Sequence, residues 1–143
     1  MWSCRLTDDF VTYDSIVNHE MSSGGSVMTI WVLGALLALG FLVLGLAKAL
    51  ALPAMRERAA HLGFSVGAYR RIGMLELLGA AGVLLGLALP AIGLLAAAGL
   101  LVLLGGALFA HARHRDPLNT AAPALLFGAV DVAYLGLTIT VLH

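Results

Sequence analysis

Tyr69–Pro90 reads YRRIGMLELLGAAGVLLGLALP. An aromatic and two arginines lead into an apolar run that ends at Pro90. A single ionisable residue, Glu76, interrupts it. About 20 helical residues at about 1.5 Å each cross a hydrocarbon core of about 30 Å. A carboxylate inside such a run costs about 2.5–3.5 kcal/mol on insertion scales, so it marks a site of pairing or chemistry. The stretch points to an all-α protein with the bilayer as its solvent.

Composition agrees. The chain has 143 residues, 61% hydrophobic and 11% charged, and its mean hydropathy is +0.99. Soluble domains carry about 25% charged residues. The formal net charge is zero, which argues against nucleic acid as a partner. The one cysteine, Cys4, excludes an intrachain disulfide and a thiolate metal site. It also excludes a CxxC redox pair, so any redox chemistry would need a bound cofactor, a quinone or a partner protein.

Working outward, residues 1–27 are polar and read as a mobile tail, with a start at Met28 as the alternative. Residues 28–143 form the membrane domain. Thr29–Ala49 is the first span. Ala49-Leu50-Ala51 mimics a cleavage site, but a basic leader is missing and the apolar run is long for a signal peptide. Leu52–Gly63 reads as a short amphipathic helix, with Pro53 at its first position and Gly63 as its stop. Leu52, Met55, Ala59 and Leu62 share one side, opposite Arg56, Glu57 and Arg58, as in a helix lying on the membrane interface. Ser65 caps the next helix. Ile72–Leu89 is the second span, Ala91–Ala110 the third and Ala121–Leu142 the fourth. The expected architecture is a four-transmembrane-helix bundle of up-down topology, with the interfacial helix between helices 1 and 2.

Six of the eight basic residues fall in two loops, residues 50–71 and 111–120. The positive-inside rule puts both loops in the cytoplasm and both termini outside an inner (cell) membrane. The halves also resemble each other. Each has an apolar helix ending in Lys48 or His111, then a proline (Pro53 or Pro117), then a helix with one acid (Glu76 or Asp131). Such a repeat has its axis along the membrane normal.

Helical periodicity gives each ionisable group a face. Glu76 lies with Gly73, Gly79, Ala80 and Val83, while Met74, Leu78, Leu85 and Leu89 face lipid. Small residues allow close helix approach, so Glu76 points inward. Asp131, near the bilayer centre, lies with Ala124, Phe127, Gly128, Tyr134 and Thr138. Lys48 lies with Gly34, Leu37, Phe41 and Gly45. Each acid needs a partner or a proton. Lys48 is the candidate partner of Glu76, and Tyr134 or His111 that of Asp131. The bland readings are a Lys48 that snorkels to the interface, a structural salt bridge for Glu76, and Arg70 and Arg71 as topology anchors. His111 and His114 are better explained by interfacial polarity than by a metal.

Residues 47–87, AKALALPAMRERAAHLGFSVGAYRRIGMLELLGAAGVLLGL, carry a resemblance. A lysine closes a helix, and a proline, a short basic helix, LGF, an arginine pair before IG, and LELLGAAG follow. This pattern is similar to the DoxX-like family of small membrane proteins, over residues 29–142. The resemblance implies four transmembrane helices. The family takes its name from a subunit of a thiosulfate:quinone oxidoreductase, and it offers no agreed catalytic motif.

Two functional readings follow. The first is an accessory or ligand-binding subunit of a membrane oxidoreductase assembly. It would bind a quinone or other lipophile, with membrane lipid and a partner protein or further copies of the chain around it. The second is a self-sufficient membrane enzyme, an isomerase, cyclase or hydrolase. There Glu76 and Asp131 act as general acid and base, and Lys48, His111, Tyr134, Phe41 and Phe127 line the substrate site. A structural scaffold is the third.

Overall fold

The computed structural model describes the backbone of residues 3–142 and the side chains of residues 24–142. Five α-helices follow in order: α1 (Ser3–Ala49), α2 (Pro53–His61), α3 (Val66–Gly86), α4 (Pro90–Arg113) and α5 (Leu118–Leu142). The backbone of α1 runs unbroken through the expected boundary near Met28, because nothing from Glu20 to Met28 breaks a helix as a proline would. The side chains of residues 1–23, the expected mobile tail, lie outside the described residues, as does His143.

Among the described residues, three helical segments are long and apolar enough to cross a membrane: Gly24–Ala49, Pro90–Arg113 and Leu118–Leu142. The 21 residues of α3 include Arg70, Arg71 and Glu76, which dilute its apolar character.

The long helices close a ring, α1 on α3, α3 on α4, α4 on α5 and α5 back on α1, while α2 leans on α1 and α3. Each long helix packs with one inward stripe. Leu37, Phe41, Ala80, Val83, Ala97, Leu100, Leu104 and Tyr134 interlock as the core. The stripe expected to face lipid is exposed, Leu78 at 69% and Met74 at 60%. An outside richer in large apolar side chains than the inside is stable only in an apolar solvent.

Glycines set how closely the helices approach. A Cβ on Gly73 would lie 2.7 Å from both the Ala49 amide nitrogen and the Gly45 carbonyl oxygen, so α1 and α3 cross backbone to backbone. Gly86 and Gly93 make a similar contact between α3 and α4.

Three chain reversals share one hydrogen-bond pattern. After α2, Gly63 (φ 72°) donates to the Ala60 carbonyl, and Phe64 donates to that of Ala59. After α1, Ala51 (φ 49°) donates to Lys48 and Leu52 to Ala47. After α4, Arg115 (φ 54°) donates to Ala112 and Asp116 to His111. All three are Schellman caps, a form that favours glycine at the left-handed position. Only Gly63 signals its cap in the sequence. Pro53 and Pro117 each follow two residues after the left-handed residue, which extends the likeness between the halves. The Ser65 hydroxyl accepts from the Ala68 amide at 3.1 Å, so α3 starts on the expected cap.

Ala51 is a misfit, since a Cβ in the left-handed region is strained. Ala51→Gly is expected to raise stability by about 1 kcal/mol, measured as a higher melting temperature in detergent. An unchanged or lower one would contradict the strain.

Candidate functional site

A cavity of about 250 Å³ opens at the end of the bundle where α2 lies. Its apolar wall is Phe41 and Leu44 from α1, Leu103, Leu104 and Ala107 from α4, and Ala124 and Phe127 from α5. Phe127 packs across Gly40 and meets the Phe41 ring at 5.5 Å between centroids. The polar rim is Lys48, Arg58, Tyr69, Glu76, His111 and Thr120. Five of the seven expected site residues therefore meet here: Lys48, Glu76, His111, Phe41 and Phe127.

Helix position explains the rim. Lys48 lies in the last turn of α1, where a cation also suits the helix dipole. Glu76 lies ten residues into α3, on the face that crosses α1 at Gly45 and Gly73. The close crossing brings the Lys48 ammonium onto Glu76 Oε1 as a partly buried ion pair. The same ammonium lies 5.6 Å from the centre of the Tyr69 ring, a cation–π contact. Glu76 Oε2 is buried with no hydrogen-bond partner among the described residues.

Asp131 and Tyr134 do not reach the cavity. Both are fully buried deeper in the bundle. The Tyr134 hydroxyl abuts the Gly86–Gly93 crossing, and the Thr138 hydroxyl donates to the Tyr134 carbonyl at 2.7 Å. Neither carboxylate oxygen of Asp131, nor the Tyr134 hydroxyl, has a hydrogen-bond partner among the described residues. The expected pairing of His111 with Asp131 is not formed. His111 Nδ1 bonds Asp116 Oδ2 instead, at 2.7 Å. The reason is local: the cap after α4 folds Asp116 back over the helix end, whereas Asp131 lies far along α5.

Asp116 also bonds His61 Nε2 through Oδ1 at 2.7 Å, clasping α2 to the α4–α5 turn. The His61 and His114 rings lie 5.8 Å apart beside it. Hydrogen bonds from His111 and then His61 hold the Asp116 carboxyl below its usual range. A depressed carboxyl stabilises the fold above its unfolded-state pKa of about 4, and the contribution is lost as pH falls through the lower folded value. Acidification below pH 4 is expected to release α2, and Asp116→Asn to remove that acid transition. Protection of the α2 amides from hydrogen exchange, followed against pH, reads it. An identical acid profile in the variant would show that Asp116 is not responsible.

The sequence reading missed Arg58 and Tyr69 as cavity residues and missed the His61–Asp116 clasp. His61 and Asp116 stand 55 residues apart, and nothing local joins them. Arg58 carried no such signal, since helical periodicity put it on the polar side of α2, opposite Met55 and Leu62, with which it lines the cavity.

An apolar-surfaced helical bundle with an ion pair and a buried acid inside it defines an integral membrane protein. The DoxX-like family model matches residues 32–134, most of the chain and both of its helical halves, so the chain belongs to the DoxX-like family. No curated protein and no solved structure matches it.

Proposed function

We propose that this chain is a four-span membrane protein that holds a lipophilic ligand in the cavity beside α2, as a binding or accessory subunit of a membrane oxidoreductase assembly. The observation that carries the ligand role is the cavity itself, an apolar chamber with a few convergent polar groups at its rim. A quinone fits that chemistry, its ring against Phe41 and Phe127 and a carbonyl toward the rim donors. The oxidoreductase partner rests on the family resemblance alone.

The four-span reading counts α3 as a crossing helix. Its 21 residues extend about 31 Å, and it stands within the ring, between α1 and α4. Pairing Glu76 with Lys48 lowers the cost of inserting it. The basic loops then face the cytoplasm, both termini face out, and α2 lies along the inner interface. General acid–base catalysis is the second reading, and it rests on Glu76, an acid on the cavity wall with one oxygen unpartnered.

Native mass spectrometry of the purified protein tests the ligand role. A co-purifying lipophile is expected on the wild type, retained in Asp131→Asn and lost in Ala107→Phe, which fills the cavity. No lipophile on any of them would sink the role and favour a scaffold.

A further inference from the structure

The cavity rim is unbalanced in charge. The Lys48 cation is matched by Glu76. The Asp116 carboxylate beside the rim is taken by His61 and His111. Arg56, on the same helix as Arg58, is held by a hydrogen bond from Nε to the Ala51 carbonyl at 2.8 Å. Arg58 alone lines the cavity as a cation with no ion-pair partner among the described residues. Tyr69 lines the same rim and adds a hydroxyl donor, whereas the Thr120 hydroxyl donates to Asn119 Oδ1 at 3.5 Å.

The cavity also opens sideways. Helices α3 and α4 touch through Gly86 and Gly93, and a Cβ on Gly82 or Gly79 would strike Ala96 or Leu100. Toward the α2 end this contact stops, since a Cβ on Gly99 or Gly106 would meet nothing within 4 Å, and Ile72 and Glu76 of α3 and Val102 and Gly106 of α4 line the cavity instead. Val102 is 75% exposed on the outer surface, so the wedge between these helices connects the cavity with the lipid side.

We infer that the cavity takes a single-tailed anionic amphiphile, its acidic head on Arg58 with Tyr69 and its alkyl tail in the wedge between α3 and α4. This deepens the ligand-binding reading above and rests on it. A planar guanidinium suits both a carboxylate and a phosphate, so a long-chain carboxylic acid and a monoalkyl phosphate share the required chemistry. A volume of about 250 Å³ lies just below the usual range of ligand pockets, so the cavity has room for the head and part of one tail, not for two tails, and the rest of the tail lies in the wedge. Arg58 stands on the helix read as interfacial, at the depth where an amphiphile entering from the bilayer presents its head.

The test is native mass spectrometry in a neutral detergent with three probes of one tail length: hexadecanoate, hexadecyl phosphate and hexadecanol. At least one anionic probe is expected to bind the wild type about tenfold tighter than the alcohol, as for a charge-assisted hydrogen bond. The tighter of the two names the head group. Arg58→Gln is expected to erase the preference while the alcohol still binds, and Arg56→Gln to keep it. Equal binding of all three probes by the wild type would overturn the inference and leave the cavity reading standing. Equal loss of preference in Arg56→Gln and Arg58→Gln would also overturn it, as attraction to general surface charge. If Ala107→Phe binds every probe as the wild type does, the ligand lies elsewhere and the cavity reading falls too.

Discussion

Lys48→Met is expected to destabilise the protein by about 3–5 kcal/mol, the usual cost of leaving one charge of a buried pair alone. Lys48 and Glu76 side chains are 15% and 7% exposed, so water screens neither well. Adding Glu76→Leu to Lys48→Met is expected to recover most of the loss, because burying two apolar side chains in place of a pair is often neutral. The single variants should differ. A Lys48 left alone at the end of α1 can extend its ammonium toward the interface. A Glu76 left alone has a shorter side chain and lies on an inward face, so Lys48→Met is the worse change. Thermal unfolding of the four proteins in one detergent forms a double-mutant cycle. Additive effects would mean that the pair contributes no coupling.

The second large effect is at Gly73. Even alanine there places a Cβ 2.7 Å from the Ala49 nitrogen, the Gly45 oxygen and the Lys48 Cβ. Two of these are backbone atoms, which cannot move without parting α1 from α3. Gly73→Ala is expected to cost about 3 kcal/mol, the upper part of the range for overpacking. Gly73→Leu is expected to prevent the crossing altogether. Gly99→Ala is the control, since its added methyl meets nothing within 4 Å, and it should be neutral or slightly stabilising. Melting temperature and monodispersity in detergent read all three. A Gly73→Ala protein as stable as Gly99→Ala would show that the helices do not cross there. The two predictions are linked, because the same crossing carries Lys48 to Glu76. Gly73 variants should therefore also weaken the lipophile binding proposed for the cavity.

The expectation of a bundle with Glu76 facing inward is matched by the structure, because that face is set by periodicity along one helix. The exposed Met74 and Leu78 follow from the same periodicity. The capping of α3 by Ser65 and the stop of α2 at Gly63 were legible because each depends on one residue's chemistry. The caps at Ala51 and Arg115 were not, since neither side chain prefers the left-handed backbone that it adopts. Lys48 was legible only as one candidate partner for Glu76, with snorkelling to the interface as its rival.

The sequence by itself determined the solvent, the helices from Thr29 onward and the inward face of each acid, all of which follow from hydropathy and from a period of 3.6 residues. Only the tertiary structure decided which acid has a partner. Glu76 meets Lys48 because Gly45 and Gly73 let two backbones touch, while Asp131 is fully buried away from the cavity and has no hydrogen-bond partner among the described residues. It also decided that the helices part beside Glu76 and leave Arg58, Tyr69 and His111 around one chamber. Helix crossings join residues far apart in the chain, and a pattern read along a single helix holds no information about where two helices touch.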